Sequence, residues 1–254
     1  MTSQPFDLTG RTALVTGGSR GIGAAIVEIL ARHGATVAFC HHDDDHAAAA
    51  LTDSLSLEGY SVASRTCDVS IEKEVDDLAE WTSQTVGHVD IVVNSAGVGG
   101  GDRPFSAVDP VEWDRVIGVN LRGSYLVTRA FYEPMVEKGW GRVINIASQL
   151  AYKGATGLAH YCASKAGVVG FTKALALEGA PHGVLVNTIA PGPVDTALLR
   201  GHSELWLENK RSSLPLGRVG EVDEIAPTAL LLASDAGSFY VGQTLSPNGG
   251  DVLL

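Results

Sequence analysis

The chain has 254 residues, 45% of them hydrophobic and 19% charged, and its 18 Lys+Arg against 29 Asp+Glu give a formal net charge of −11. This composition is globular and excludes a disordered chain. The acidic balance argues against nucleic acid and anionic membranes, which are held through Lys and Arg. No apolar run reaches the ~18 residues of a membrane helix, and the opening MTSQPFDLTG lacks the basic start and apolar centre of a secretory signal, so a cytoplasmic protein is expected.

Short β-rich runs alternate with longer amphipathic ones. Residues 12–16 (TALVT), 36–40 (TVAFC), 61–65, 89–94 (VDIVVN), 142–146 (RVINI) and 185–189 (LVNTI) are short, rich in β-branched residues and nearly continuous in apolarity, as strands buried on both faces are. Between them, residues 22–33, 45–58, 71–86, 111–138 and 161–178 carry apolar residues at helical spacing. This alternation predicts an α/β fold with a doubly wound, seven-stranded parallel sheet and helices on both faces, counting a C-terminal strand near 243–247. No repeat or linker interrupts it, so residues 1–254 read as one dinucleotide-binding domain. A long insert follows the sixth strand, with Leu198, Leu199, Leu205, Trp206 and Leu207 expected on its surface. Inserts at the carboxyl end of such strands sit over ligands, so residues 193–213 are expected to form a substrate lid.

The first strand runs straight into Thr16-Gly17-Gly18-Ser19-Arg20-Gly21-Ile22-Gly23 and then a helix. Small residues there let the backbone approach a pyrophosphate, and the helix N-terminus offers unpaired N–H groups and positive dipole. An acid normally follows about 20 residues on to hold the ribose 2′-OH of NAD. Here the equivalent strand end reads Cys40-His41-His42. With no acid at that place NADP(H) is favoured and NAD(H) remains open, although Asp43, Asp44 and Asp45 stand nearby to repel a 2′-phosphate. The run His41–His46 reads as solvated loop and helix cap, and no metal is expected there. The three cysteines, Cys40, Cys67 and Cys162, form no CxxC pair and are expected as reduced thiols.

Tyr161 and Lys165 lie four apart on a predicted helix and hence on one face, an arrangement in which an ammonium favours phenolate. Ser148 ends the fifth strand, and Asn120 lies inside the predicted helix 111–138.

The TGxxxGxG spacing, Asp68-Val69, Asn94-Ser95-Ala96-Gly97, Asn120, Ser148, Tyr161-Cys162-Ala163-Ser164-Lys165 and Pro191-Gly192 with Thr196 together resemble the short-chain dehydrogenase/reductase family over nearly the whole chain. The resemblance implies a catalytic set of Asn120, Ser148, Tyr161 and Lys165. It implies that Gly17, Ser19, Arg20, Gly21, Ile22 and Gly23 take the phosphates, with Arg20 resembling the basic residue of NADP-preferring members, and that His41 and His42 lie at the adenosine ribose. Asp68 and Val69 would hold the adenine, Asn94, Ala96 and Gly97 pass under that ribose, and Pro191, Gly192, Val194 and Thr196 flank the nicotinamide.

Substrate would meet Val98, Gln149, Leu150, Tyr152, Ala155, Pro193, Leu198, Leu199 and Trp206, a mainly apolar set. The expected reaction interconverts a ketone and a secondary alcohol of small to medium size. The overall sequence is also similar to 3-oxoacyl-[acyl-carrier-protein] reductases, the alternative reading. Where basic residues of those enzymes dock the acidic carrier, this chain has Glu133 and Leu177, which ranks that reading second. A dinucleotide-binding sensor without turnover is the third reading. Members of the family are usually tetrameric, which implies a homotetramer with Tyr125, Leu126, Phe131, Tyr132, Phe171 and Leu175 facing a partner and the C-terminal end tucked against protein.

Overall fold

In the computed structural model, which describes residues 5–253, six of the seven strands follow the apolar runs in the sequence. They are β1 (Thr12–Thr16), β2 (Thr36–His41), β3 (Val62–Thr66), β4 (Ile91–Asn94), β5 (Gly141–Ile146) and β6 (Val184–Ile189), and the short β7 (Thr244–Leu245) completes the sheet. All pairs are parallel in the order β3-β2-β1-β4-β5-β6-β7. The order reverses between β1 and β4, and beyond the carboxyl ends of strands at such a switch point an open α/β sheet binds ligands.

Alternate β1 residues go to opposite faces of the sheet. Ala13 and Val15 pack with Ile26, Leu30, Phe39, Ile91 and Leu230, whereas Leu14 packs with Val75, Leu78, Val92, Val127 and Met135. The helices are α1 (Gly21–Arg32), α2 (Asp45–Leu57), α3 (Glu72–Thr85), α4 (Pro110–Ile117), α5 (Gly123–Lys138), α6 (Leu150–Lys153), α7 (Ala159–Gly179), α8 (Ala197–Arg200), α9 (Glu204–Ser213) and α10 (Ala226–Ala233), of which α1, α3, α5 and α10 supply the helical residues just named. Helix α10, absent from the sequence expectation, is apolar nearly all round and fills the sheet face beside α1.

Two expectations change. The predicted helix 111–138 is interrupted by a π turn, Gly118–Arg122, between α4 and α5. In the insert, Leu207 is buried and Leu199 half-buried, while Leu198, Leu205 and Trp206 are exposed as expected. The insert is pinned where it begins: Asp195 N donates to Gly220 O (2.8 Å) and Gly220 N to Pro193 O (2.9 Å).

Candidate active site

The glycine loop is shaped by contacts that no side chain would allow. A Cβ on Gly23 would stand 2.1 Å from Gly17 O, and one on Gly17 would stand 2.9 Å from Ala96 Cα, with φ of +63° there as well. The loop is thereby pressed against both α1 and the segment after β4. Thr16 Oγ1 accepts from Ser95 N and Ala96 N, both at 3.0 Å, which locks β1 to that segment. Arg20 stands at the helix N-cap in extended conformation without a side-chain cap, so the first N–H groups of α1 face the crevice unclaimed by a capping side chain. Thr196 lies over this start, its Cγ2 3.4 Å from where a Gly21 Cβ would stand.

Of the acids after β2, Asp44 points back at the loop. It accepts from Ser19 Oγ at 2.8 Å and pairs with Arg20 Nε at 3.3 Å. His41 is buried with Nδ1 lacking a hydrogen-bond partner among the described residues, and His42 is exposed beside Asp43. The bare glycine cradle and the open helix start fit a dinucleotide, while His41 Nδ1 lies 3.8 Å from Asp45 Oδ1. Further along, Asp68 Oδ1 accepts from Ser70 N (2.9 Å) and Ser70 Oγ (2.7 Å), closing the turn into α3 beside the buried Val69. The Asn94 side chain turns away from the crevice, donating at 2.8 Å to both Thr128 Oγ1 and Asn145 Oδ1 inside the core, so any ligand contact at this position is through its main chain. Ile22 and the buried Val194 pack on the core, and Pro191 O accepts from Gln149 N at 3.0 Å.

Four polar side chains converge beside this loop. Ser148 lies two residues beyond the end of β5, its hydroxyl accepts from Leu150 N at 3.1 Å, and it acts to lower the Tyr161 phenol. Lys165, one turn beyond Tyr161 on α7, is 5% exposed, and its Nζ donates to Ile146 O at 2.8 Å. That nitrogen lies 5.8 Å from the centre of the Tyr161 ring. A Cβ on Gly97 would be 3.4 Å from both Lys165 Nζ and Asn120 Oδ1. Asn120 is carried by the π turn, and π turns are frequent at functional sites. Its Oδ1 accepts from Val98 N (2.8 Å), while its Nδ2 donates to Val98 O (3.0 Å) and Ser164 Oγ (3.0 Å). Ser164 Oγ in turn donates to Tyr161 O at 2.7 Å, linking Asn120 to the backbone of α7.

Desolvation dominates the electrostatics. It raises the Tyr161 phenol, an effect the Ser148 hydroxyl opposes. It pushes the Lys165 ammonium down from 10.5 to about 8. Solvent exclusion is the largest influence on both groups in the chain by itself.

Around this cluster, Leu198 reaches across to the segment after β4, its Cδ1 2.7 Å from a Cβ position on Gly99. Trp206 stacks on His202 at 4.0 Å. Val98, Leu150 and Pro193 are half-buried and Tyr152 and Ala155 exposed, whereas Gln149 is buried with its amide turned to Asp251. Arg200 is taken up by Asp195 at 2.7 and 2.8 Å. The sequence reading missed the Asp44 and Asp251 contacts and the bond between buried His160 Nε2 and Gly100 O (3.0 Å), which fixes the Gly97–Gly101 turn to α7.

A family model described as "Enoyl-(Acyl carrier protein) reductase" matches residues 17–251. The chain is 41% identical to the acetoacetyl-CoA reductase of Allochromatium vinosum over 94% of its own length and 98% of that protein. It is 36% identical to the 3-oxoacyl-[acyl-carrier-protein] reductase FabG of Aquifex aeolicus over 96% and 98%. Among solved structures, a gluconate 5-dehydrogenase from Burkholderia cenocepacia in complex with NADP and tartrate superimposes with a TM-score of 0.91 at 34% identity, covering 97% of each chain. With the parallel sheet, the glycine cradle and the Ser148–Tyr161–Lys165 cluster, these matches establish that the chain belongs to the short-chain dehydrogenase/reductase family of oxidoreductases.

Proposed function

We propose that the protein interconverts a ketone and a secondary alcohol with NADP(H) as the hydride carrier, and that NAD(H) is the weaker alternative. The reading rests on one observation above all: the buried Lys165 ammonium lies 5.8 Å from the centre of the Tyr161 ring, with Ser148 acting on the same phenol, beside a glycine loop open to a dinucleotide. The α1 N-terminus with Gly17, Gly21 and Gly23 holds the pyrophosphate, Ser19 and Arg20 face the adenosine ribose, and Thr196 lies at the nicotinamide end. When bound, the dinucleotide gives or takes the hydride at the substrate carbon.

The protein's own part is proton handling and orientation. Ser148 donates a hydrogen bond to the substrate oxygen as charge builds there, and Tyr161 gives it a proton in reduction or removes one in oxidation. Desolvation keeps the phenol protonated at neutral pH, which suits reduction. Lys165 holds the nicotinamide ribose and, when protonated, stabilises phenolate. Asn120 fixes Val98 and α7, and so the distance between the carbonyl and the acid. Replacing Tyr161 with Phe lowers turnover about a hundredfold or more with dinucleotide binding retained, as read by rates and fluorescence titration. A variant keeping most of its rate excludes this assignment.

The substrate is a small to medium neutral ketone or alcohol, covered by the lid of residues 193–213 within one domain. Glu133 and Leu177 are both exposed on the face where an acidic carrier would need cations. The thioester reading is kept because two of the most similar relatives are named for thioester substrates. Oxidation of NADPH and NADH over neutral ketones, diketones and an acetoacetyl thioester decides between them. Turnover on the thioester alone overturns the neutral-ketone reading, and dinucleotide binding with no turnover leaves the sensor. We also propose a cytoplasmic homotetramer, supported by exposed apolar side chains on α5 and α7.

A further inference from the structure

Outside the Ser148–Tyr161–Lys165 cluster, one carboxylate gathers three distant stretches of chain. Asp251 lies in the turn after β7 with its side chain 7% exposed. Lys210 of α9 donates to its Oδ2 at 2.5 Å, Lys153 of α6 to its Oδ1 at 2.8 Å, and the Gln149 amide nitrogen to Oδ2 as well. Burial alone would raise this carboxyl, yet the three donors outweigh it and hold Asp251 below its ordinary value, ionised at neutral pH.

The turn carrying Asp251 is rigid. Asn248 Nδ2 donates to Ser246 Oγ (2.9 Å) and Val252 O (2.8 Å), and its Oδ1 accepts from Gly250 N (2.9 Å). The turn is anchored where the lid starts, through Gly192 N donating to Pro247 O at 3.0 Å. It also packs where the lid ends: Gly250, at φ +88°, leaves only 2.8 Å between a Cβ position and Pro215 Cγ. Both ends of the lid are therefore fixed to the tail, and Lys210 adds a tie from the last turn of α9. On the other side, Gln149 directly follows Ser148, and with its nitrogen on Asp251 its Oε1 is buried without a hydrogen-bond partner among the described residues. The carboxylate thus sets the orientation of the side chain next to the substrate-oxygen donor.

We propose that Asp251 is a positioning residue for the reaction: its carboxylate ties lid helix α9 to the segment that follows Ser148, so that admitting substrate and releasing product require breaking the Lys210 contact. The proposal rests on the reading that the crevice under the lid takes the carbonyl substrate. It concerns how the lid is held, which the family's hydride chemistry does not determine. Two lysines on one carboxylate leave a positive excess, so salt weakens the tie by screening and Asp251→Asn removes it at constant shape.

The test is hydrogen exchange of the full chain with steady-state kinetics in the same preparations. In Asp251→Asn and Lys210→Met, amides of α9 exchange several-fold faster than in the unaltered protein, while amides of α1 and β5 keep their rates. KM for the carbonyl rises several-fold, kcat changes less, and KM for the dinucleotide is unchanged. Added salt raises carbonyl KM in the unaltered protein and has less effect in the variants, and Asp251→Glu recovers part of the loss. Unchanged α9 exchange in both variants overturns the proposal, as does an Asp251→Asn defect that appears equally in α1. Lys210→Met removes one limb only and stays readable if Asp251→Asn does not fold. A protein without turnover would sink the proposed reaction, yet the exchange rates would still decide the tie.

Discussion

At neutral pH the Lys165 ammonium is buried with one carbonyl to receive it, and its acid constant falls from 10.5 to about 8. The sign follows from the two states. In the unfolded chain the lysine stays protonated to about 10.5, so the folded state carries a penalty of about 3 kcal/mol below pH 8 that fades as pH rises from 8 towards 10.5. Lys165→Met removes this penalty and gives up a hydrogen bond worth about 1 kcal/mol. The variant is therefore expected to melt higher than the unaltered protein at pH 7, with the difference shrinking or reversing near pH 10, while turnover is lost. A variant that melts lower at pH 7 would mean that the ammonium is satisfied where it lies. Asp44 poses the opposite question, because its carboxylate already accepts from Ser19 Oγ and forms an ion pair with Arg20 Nε. A 2′-phosphate using those donors meets a like charge. Asp44→Asn is expected to lower KM for NADPH several-fold and to move KM for NADH much less. An unchanged ratio of the two would place the phosphate away from Asp44.

Elements legible in the sequence are those whose burial is uniform. The β1 and β6 runs are buried at every residue, so their short, β-branched and nearly continuous apolar pattern marked them without reference to neighbours. The glycine loop was legible for a related reason: with 2.1 Å between Gly17 O and a Cβ position at Gly23, only glycine fits, and the requirement is written as a residue type. Gly23→Ala is accordingly expected to abolish dinucleotide binding and lower the melting temperature, as titration and calorimetry would show; retained binding would mean that the loop opens more readily than its packing indicates. The π turn was only partly legible, because Asn120 is a mediocre helix former inside a helical pattern and the change over Gly118–Arg122 lies in the backbone bonding. Asp44 was hidden among three consecutive acids. The φ of +51° at Asp43 turns the chain so that the middle acid faces the loop. Asp251 was beyond reach for another reason, since its partners are 41, 98 and 102 residues away in sequence and nothing local marks them.

For the whole molecule, exposed apolar side chains in two parts of the chain bear on assembly. On the α5 and α7 side, Tyr125 is 45% and Leu177 77% exposed, but Leu126 and Phe131, which the resemblance placed at an interface, are inside the core. Near the C-terminal end, Phe239 is 99% and Leu253 92% exposed, although the tail up to Asp251 packs on the lid. Large apolar side chains left this bare are favourable to cover, each worth roughly 1.5–3 kcal/mol when fully buried. Against this, a net charge of −11 per chain disfavours association, and low salt strengthens that repulsion. The two patches lie on different elements, which supports the proposed assembly of four chains through two symmetry axes. Light scattering is expected to give about four times the 26.5 kDa chain mass at moderate salt, with partial dissociation towards dimers as salt is lowered. A monomer at every salt concentration would leave Phe239 and Leu253 without a covering surface and remove the oligomer from the proposal. A dimer insensitive to salt would retain one axis and assign the other patch to a different partner.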